Sequence, residues 1–187
     1  MNGAPTHDAI EEKIREIFTQ TLEPRGELRI DRPLIAELGY DSLDMIELSF
    51  ALEEFFGFEF NSRNAIEELD QRLGEGSILD QGVLTELGRQ VVLERMPELA
   101  RADLGPELRA SALPQYFSLS TFVRLIEDFY SHTPDTCPET GEAVIGDGFG
   151  IVSAISRRKV AAPSGDAIME EWLQQKSSEL SGVAAPS

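Results

Sequence analysis

Apolar side chains recur at helical spacing in several stretches of this chain. Ile10, Ile14, Ile17, Phe18 and Leu22 follow Thr6-His7-Asp8, whose side chains suit a helix start, so the pattern predicts a first helix. Projected at about 100° per residue, residues 43–56 give two stripes. Met45, Leu48, Ser49, Leu52, Phe55 and Phe56 share one side, as a core stripe does. Leu43, Ile46 and Phe50 fall on a second side roughly 150° away, flanked by Asp44, Glu47, Glu53 and Glu54. A small core rarely wraps both sides of one helix, so the second stripe reads as a docking surface, apolar in the middle and acidic at the rim. The plain alternative is a fully buried helix whose second stripe is covered by another part of the chain. Residues 61–69 follow a short extended Phe58-Glu59-Phe60 and suit a third helix. Residues 120–130 suit a closing one, with Phe122, Leu125, Ile126 and Phe129 on its apolar face.

The segments between these helices differ in character. Residues 23–38 form a loop punctuated by Pro24, Gly26 and Pro33, with Ile30, Leu34, Ile35 and Leu38 as plugs into the core. Residues 68–117 hold helical material of their own. Thr85 suits the cap of a helix that carries Leu87, Val91, Val92 and Met96, and Leu99, Leu104 and Leu108 continue the apolar pattern until Gly105-Pro106 breaks it. Such helices need a surface to bury against, and packing on the neighbouring bundle is the simplest choice. After residue 132, Pro and Gly become frequent. Ala143-Val144-Ile145 and Ile151-Val152-Ser153-Ala154-Ile155 read as strands of a β-hairpin. Residues 166–180 suit a last helix with Ile168, Trp172 and Leu173 on one side, and residues 181–187 are expected to fray.

Ser42 sits at the start of the second helix, in Leu38-Gly39-Tyr40-Asp41-Ser42-Leu43-Asp44. Asp41 or Ser42 can supply a side-chain oxygen to the free N–H groups of the first turn. Those groups and the positive end of the helix dipole make a helix start a tolerable place for a phosphate, despite the two aspartates. Ser42 is thus either a simple N-cap or the carrier of a covalent phosphate-linked group.

The run from Leu38 through Ala51-Leu52-Glu53-Glu54-Phe55-Phe56-Gly57 closely resembles the second helix of acyl carrier proteins of fatty-acid and polyketide synthesis. The resemblance implies that Ser42 bears 4′-phosphopantetheine, brought from coenzyme A by a phosphopantetheinyl transferase and Mg²⁺. It implies that acyl groups ride as thioesters on the terminal thiol. It also implies that Leu43, Asp44, Ile46, Glu47, Phe50, Glu53 and Glu54, together with Asp41 beside the serine, meet partner enzymes: acyl-loading, condensing or acyl-transfer enzymes with basic faces. The fold it implies is mainly α: an acyl-carrier-like four-helix bundle within residues 1–132, with a helical insertion at about 68–117 between the third and last helices. Residues 133–187 form a C-terminal extension with a β-hairpin and a helix. The alternatives are an aminoacyl carrier, or a non-catalytic assembly subunit that retains the carrier fold.

Charge sharpens this picture. The formal net charge is −18, which argues against nucleic acid and against anionic membrane surfaces as partners. Between Arg32 and Arg63 there is no Lys or Arg, while seven Asp or Glu occur. A partner face should therefore be basic, and its encounter salt-sensitive. No apolar run is long enough to span a bilayer, and no secretory signal is visible, so a cytoplasmic location is expected. One cysteine leaves no internal disulfide framework, and no cluster has zinc-ligand spacing. His132 lies five residues from Cys137, but nothing in that spacing secures a nucleophile–base pair, so the chain is expected to be a carrier and not an enzyme. Arg157-Arg158-Lys159 is the only basic run and is expected to be a solvated cluster, with the acidic second helix or a partner phosphate as its other candidates.

Overall fold

The computed structural model describes residues 3–61 and 63–183 of the chain. Helix α1 (His7–Thr21) starts where the sequence placed it, with Thr6 Oγ1 accepting from the Ala9 amide. Helix α2 (Ser42–Phe56) ends at Gly57, whose φ of 72° closes the helix in the left-handed region open to glycine. Helix α3 (Ala65–Leu73) begins four residues later than the apolar pattern suggested, because Asn64 caps it and the preceding Asn61 and Arg63 are drawn into other bonds. Helix α5 (Leu119–Ser131) closes the bundle behind a capping box made by Ser118 and Thr121. Its buried face includes Leu119, Phe122, Val123, Ile126 and Phe129.

The first core lies among α1, α2 and α5. Ile10, Ile14 and Phe18 meet Leu48, Leu52 and Phe56, with Leu34 and Leu38 plugging in from the long loop. Phe58 stacks on Phe129 at 4.6 Å and meets Tyr130 edge-on at 5.1 Å. Strands β3 (Val144–Asp147) and β4 (Gly150–Ser153) pair antiparallel from Val144↔Ser153 to Asp147↔Gly150. They form the expected hairpin. It adds Val144 and Ile151 to this same core, and Phe149 at its turn meets the Phe55 and Phe56 rings at 5.4 and 5.5 Å. The helical wheel placed Phe55 in the core stripe, but only Leu48, Leu52 and Phe56 of α2 are buried; Phe55 sits at the stripe's edge, half-exposed, covered in part by Phe149 and Lys13.

A second core is built by the inserted segment. Its short strands β1 (Leu79–Asp80) and β2 (Val83–Leu84) form a small hairpin that the sequence pattern did not announce. Helix α4 (Glu86–Arg95) follows, capped by Thr85 as expected. Two 3₁₀ turns, Pro97–Arg101 and Ala110–Tyr116, lead back to α5. Leu84, Val91, Val92, Leu99 and Leu113 pack with Ile66 and Leu69 of α3. Helix α6 (Gly165–Val183) completes this core with Met169 and Leu173. Its first residue presses on the α2–α3 connection: a Cβ at Gly165 would stand 2.3 Å from the Asn61 nitrogen, so only glycine fits. Buried Lys176 pairs with Glu94 on α4 at 2.7 Å. Arg72 and Arg63 hold Glu170 at 2.8 and 3.0 Å, which brings its carboxyl down to about 2. The chain remains helical through Val183, so fraying over residues 181–183 is not what the fold shows; residues 184–187 lie outside the described residues.

Asp70 organises the entry to the inserted segment. Its carboxylate is buried and accepts from the amides of Ile78 at 2.7 Å, Leu79 at 3.0 Å and Gly76 at 3.3 Å. Burial pushes this carboxyl up, but the backbone donors outweigh it and hold the group below its ordinary value. Its contribution to stability is therefore complete above the unfolded value, near 3.9, and is lost as pH falls through the lower folded value. We expect Asp70→Ala to cost roughly 2 kcal/mol at neutral pH. The difference from the parent protein should shrink on acidification below about pH 4, as read by urea melts across pH.

Candidate functional site

The start of α2 is built so that its serine hydroxyl stays free. Gly39 turns the chain with φ of 72°, and Asp41, not Ser42, takes the N-cap position. Asp41 Oδ1 accepts from the Leu43 amide at 2.8 Å and from the Asp44 amide at 3.0 Å. Asp44 Oδ2 returns the bond to the Asp41 amide at 2.8 Å, completing a capping box. Ser42 is the first helical residue, is exposed, and its hydroxyl makes no hydrogen bond among the described residues. The reading of Ser42 as a mere cap does not hold. A second expectation is corrected as well: two first-turn amides that could have faced a phosphate are occupied by Asp41.

A cation compensates. Arg25, from the long first loop, donates from Nη1 to the Gly39 carbonyl at 2.7 Å and lies 3.1 Å from Asp44 Oδ2. Its guanidinium also sits over the Tyr40 ring at 4.6 Å. Tyr40 is itself buried against Phe18, accepts from the Arg25 amide at 2.9 Å and donates to the Glu23 carbonyl at 2.9 Å. The loop is thus folded back onto the Gly39–Asp44 turn. Neither Arg25 nor Tyr40 stood out in the sequence. An arginine in a Pro/Gly-punctuated loop carries no periodic signal, and Tyr40 was legible only as an aromatic next to the Asp-Ser pair.

Beyond Ser42 the second stripe of α2 faces outward. Leu43, Ile46 and Phe50 are 61%, 50% and 65% exposed, so the inserted segment does not cover them. Asp41, Glu47 and Glu54 are exposed around that strip. Two of the other acids are committed locally. Asp44 serves the capping box and Arg25, and Glu53 accepts from the Phe60 amide at 2.8 Å, pinning the α2–α3 connection.

The remaining chemical candidates disperse. His132 bonds through Nδ1 to the Asp128 carbonyl at 2.8 Å. Cys137 is buried near Ser153 and Thr140, whose hydrogen bonds bring its thiol down to about 7. No hydrogen bond joins the two among the described residues. All three residues of the basic run are exposed, as expected of a solvated cluster; in addition Arg157 pairs with Asp147 at the surface, and Lys159 Nζ stands 3.2 Å from the place a Gly57 Cβ would take. That puts Lys159 at the C-terminal end of α2, where a cation complements the helix dipole. Among the described residues no group of three or more His, Cys, Asp or Glu could hold a metal ion. No helix among them is long and apolar enough to cross a membrane.

Comparison with known proteins accounts for this arrangement. The family model for a phosphopantetheine attachment site matches residues 12–70, a span that holds most of α1, the long loop, α2 and most of α3. The acyl carrier protein of Campylobacter hominis is 40% identical over 55 residues, which are 29% of this chain and 70% of that protein. The acyl carrier protein of Solidesulfovibrio magneticus is 38% identical over 58 residues, 30% of this chain and 74% of the relative. The chain belongs to the acyl carrier protein family. No solved structure matches it. As in its family, the prosthetic group of this carrier protein is covalently attached 4′-phosphopantetheine. The residues around Ser42 fit such a group: an exposed hydroxyl with no hydrogen bond among the described residues, on a turn that also holds a guanidinium, that of Arg25 on the Gly39 carbonyl and Asp44. The mainly α bundle agrees with the expected fold, and most of the second core and the C-terminal hairpin lie outside the matched span.

Proposed function

We propose that Ser42 is the attachment residue, and that this carrier delivers acyl intermediates to enzymes of fatty-acid, specialised lipid or polyketide synthesis. The observation that carries the reading is the free, exposed hydroxyl at the first helical position, with Asp41 performing the capping in its place. When bound, the pantetheine arm supplies a thiol that holds an acyl group as a thioester. The Ser42 hydroxyl attacks the β-phosphorus of coenzyme A on a phosphopantetheinyl transferase, losing its proton there. A phosphodiester forms at Oγ, and the adenine-nucleotide half leaves. Arg25 neutralises Asp44 on the same turn, which lessens the repulsion an ester at Ser42 meets there. Leu43, Ile46 and Phe50 form the apolar centre of the docking strip, while Asp41, Glu47 and Glu54 steer a basic partner toward it. Asp44 and Glu53 act first as internal ties that keep the strip in shape.

Incubation with coenzyme A, Mg²⁺ and a promiscuous transferase tests the assignment, with fragmentation of the product by mass spectrometry. The added mass should map to the peptide containing Ser42; mapping to any other serine refutes it. A second measurement bears on the strip. Phe50 is the largest exposed apolar group on it, so Phe50→Glu should slow acyl delivery to a condensing enzyme about 30-fold. Stability should change by no more than about 0.5 kcal/mol. Unchanged delivery would remove Phe50 from the interface.

A further inference from the structure

Between α5, the start of α3, the returning 3₁₀ turn and α6 lies a cavity of about 350 Å³. Its size is that of a small-molecule site. Leu113, Phe117, Leu125, Met169 and Trp172 give it predominantly apolar walls. No residue of α1 or α2 lines it, and about half of its lining residues come from the inserted segment and the C-terminal helix, so it is distinct from the core among α1, α2 and α5. Three arginines, Arg63, Arg95 and Arg124, are among its lining residues. Each already has carboxylate partners: Glu68 and Glu170 for Arg63, Asp128 for Arg95, Glu98 for Arg124. The site is therefore close to neutral, and a polyanion such as a nucleotide finds no surplus charge there. One donor is outstanding. Arg124 engages Glu98 through Nε at 3.2 Å, while its Nη1 is buried without a hydrogen-bond partner among the described residues. A buried donor of this kind costs free energy until an acceptor reaches it.

We propose that this cavity binds an unbranched aliphatic chain that bears a single carboxylate or carbonyl oxygen, with the chain against Trp172 and the oxygen on Arg124. Room for on the order of ten water-sized volumes sets the chain at medium length. Rotation of the Arg124 fork brings Nη1 to the ligand oxygen and completes its hydrogen bonding. Two sources share this chemistry: a free fatty acid, or the acyl group that the chain itself carries.

Trp172 is the only tryptophan of the chain, which makes its emission a reporter of this cavity. Sodium decanoate titrated into Ser42→Ala protein, which bears no cargo, tests the free source; decanoyl-loaded parent protein tests the tethered one. Expected is a saturable shift of Trp172 emission in at least one arm, and the arm that responds identifies the source. Ser111 is exposed at the cavity edge, so Ser111→Phe can narrow it without burdening the fold. That variant should weaken the response at least tenfold, and Arg124→Lys, which keeps the charge opposite Glu98, should weaken it several-fold. No saturable shift in either arm, or a shift indifferent to Ser111→Phe, overturns the proposal. The free-decanoate arm does not depend on Ser42, so a failure of the attachment assignment and a failure of the cavity are read separately.

Discussion

Ser42→Ala protein should gain no mass from coenzyme A and a transferase, while folding as the parent does. The two halves of that result follow from different atoms. On the proposed assignment loading needs the hydroxyl, because no other atom of residue 42 can form the phosphodiester. Folding does not need it, because Asp41 and Asp44 share the cap and the Ser42 side chain touches nothing that it stabilises. Alanine is also a better helix former than serine, so thermal stability should stay within about 0.5 kcal/mol of the parent. Asp41→Ala gives the converse: a cost of about 1 kcal/mol from the lost cap, with the hydroxyl still present and loading still observed. Intact-mass spectra and thermal melts of the two variants separate attachment from capping. An undiminished mass gain in Ser42→Ala protein would place the attachment on another residue.

The second large effect lies far from the serine. Leu173 is fully buried where α6 meets α3 and the inserted segment. Leu173→Ala should cost about 3 kcal/mol, the usual price of a cavity in a packed core. For a chain of this length that lowers the melting temperature by roughly 10 °C. Well below that transition the first core is intact and Ser42 should still load at the parent rate, because Leu173 contributes nothing to the α1–α2–α5 packing. Calorimetry alongside the loading assay checks both points. A loss under about 1 kcal/mol would show that α6 rests on the molecule without completing its second core.

The helices whose signals are local were legible from the chain. Thr6 and Thr85 mark helix starts within a few residues of the apolar repeats they introduce, whereas the Ser118–Thr121 box that starts the closing helix emerged only in the structure. The two stripes of α2 were likewise visible, because exposure of Leu43, Ile46 and Phe50 follows from angular spacing once a core is fixed on the other side. What escaped depends on residues distant in sequence. The third helix starts late because Arg63 is drawn to Glu170, more than a hundred residues on. The second core joins the inserted helix with α3 and with the distant α6, and no periodicity in one segment names the others. Phe55 lies at the edge of the core stripe, half-exposed, and the ring that partly covers it, Phe149, arrives from the distant hairpin. At the site itself, the Asp-Ser pair suggested two equivalent caps. Only the geometry shows that Asp41 takes the role and frees Ser42, and only the fold of the first loop brings Arg25 to that turn.

The hairpin has a bearing on how this module could be transplanted. Val144 and Ile151 belong to the same packed interior as Phe56 and Phe58, and the Tyr130 hydroxyl donates to the Phe149 carbonyl at 2.8 Å. A chimera that took the family-like bundle and ended at Ser131 would leave those rings facing water. One that ran on to Val160, itself buried in that interior, would keep them covered. Severing α6 after that point would instead strip the inserted segment of its bed. The portable unit in this chain is therefore longer than the resemblance to small carriers suggests, and it takes in both the hairpin and α6.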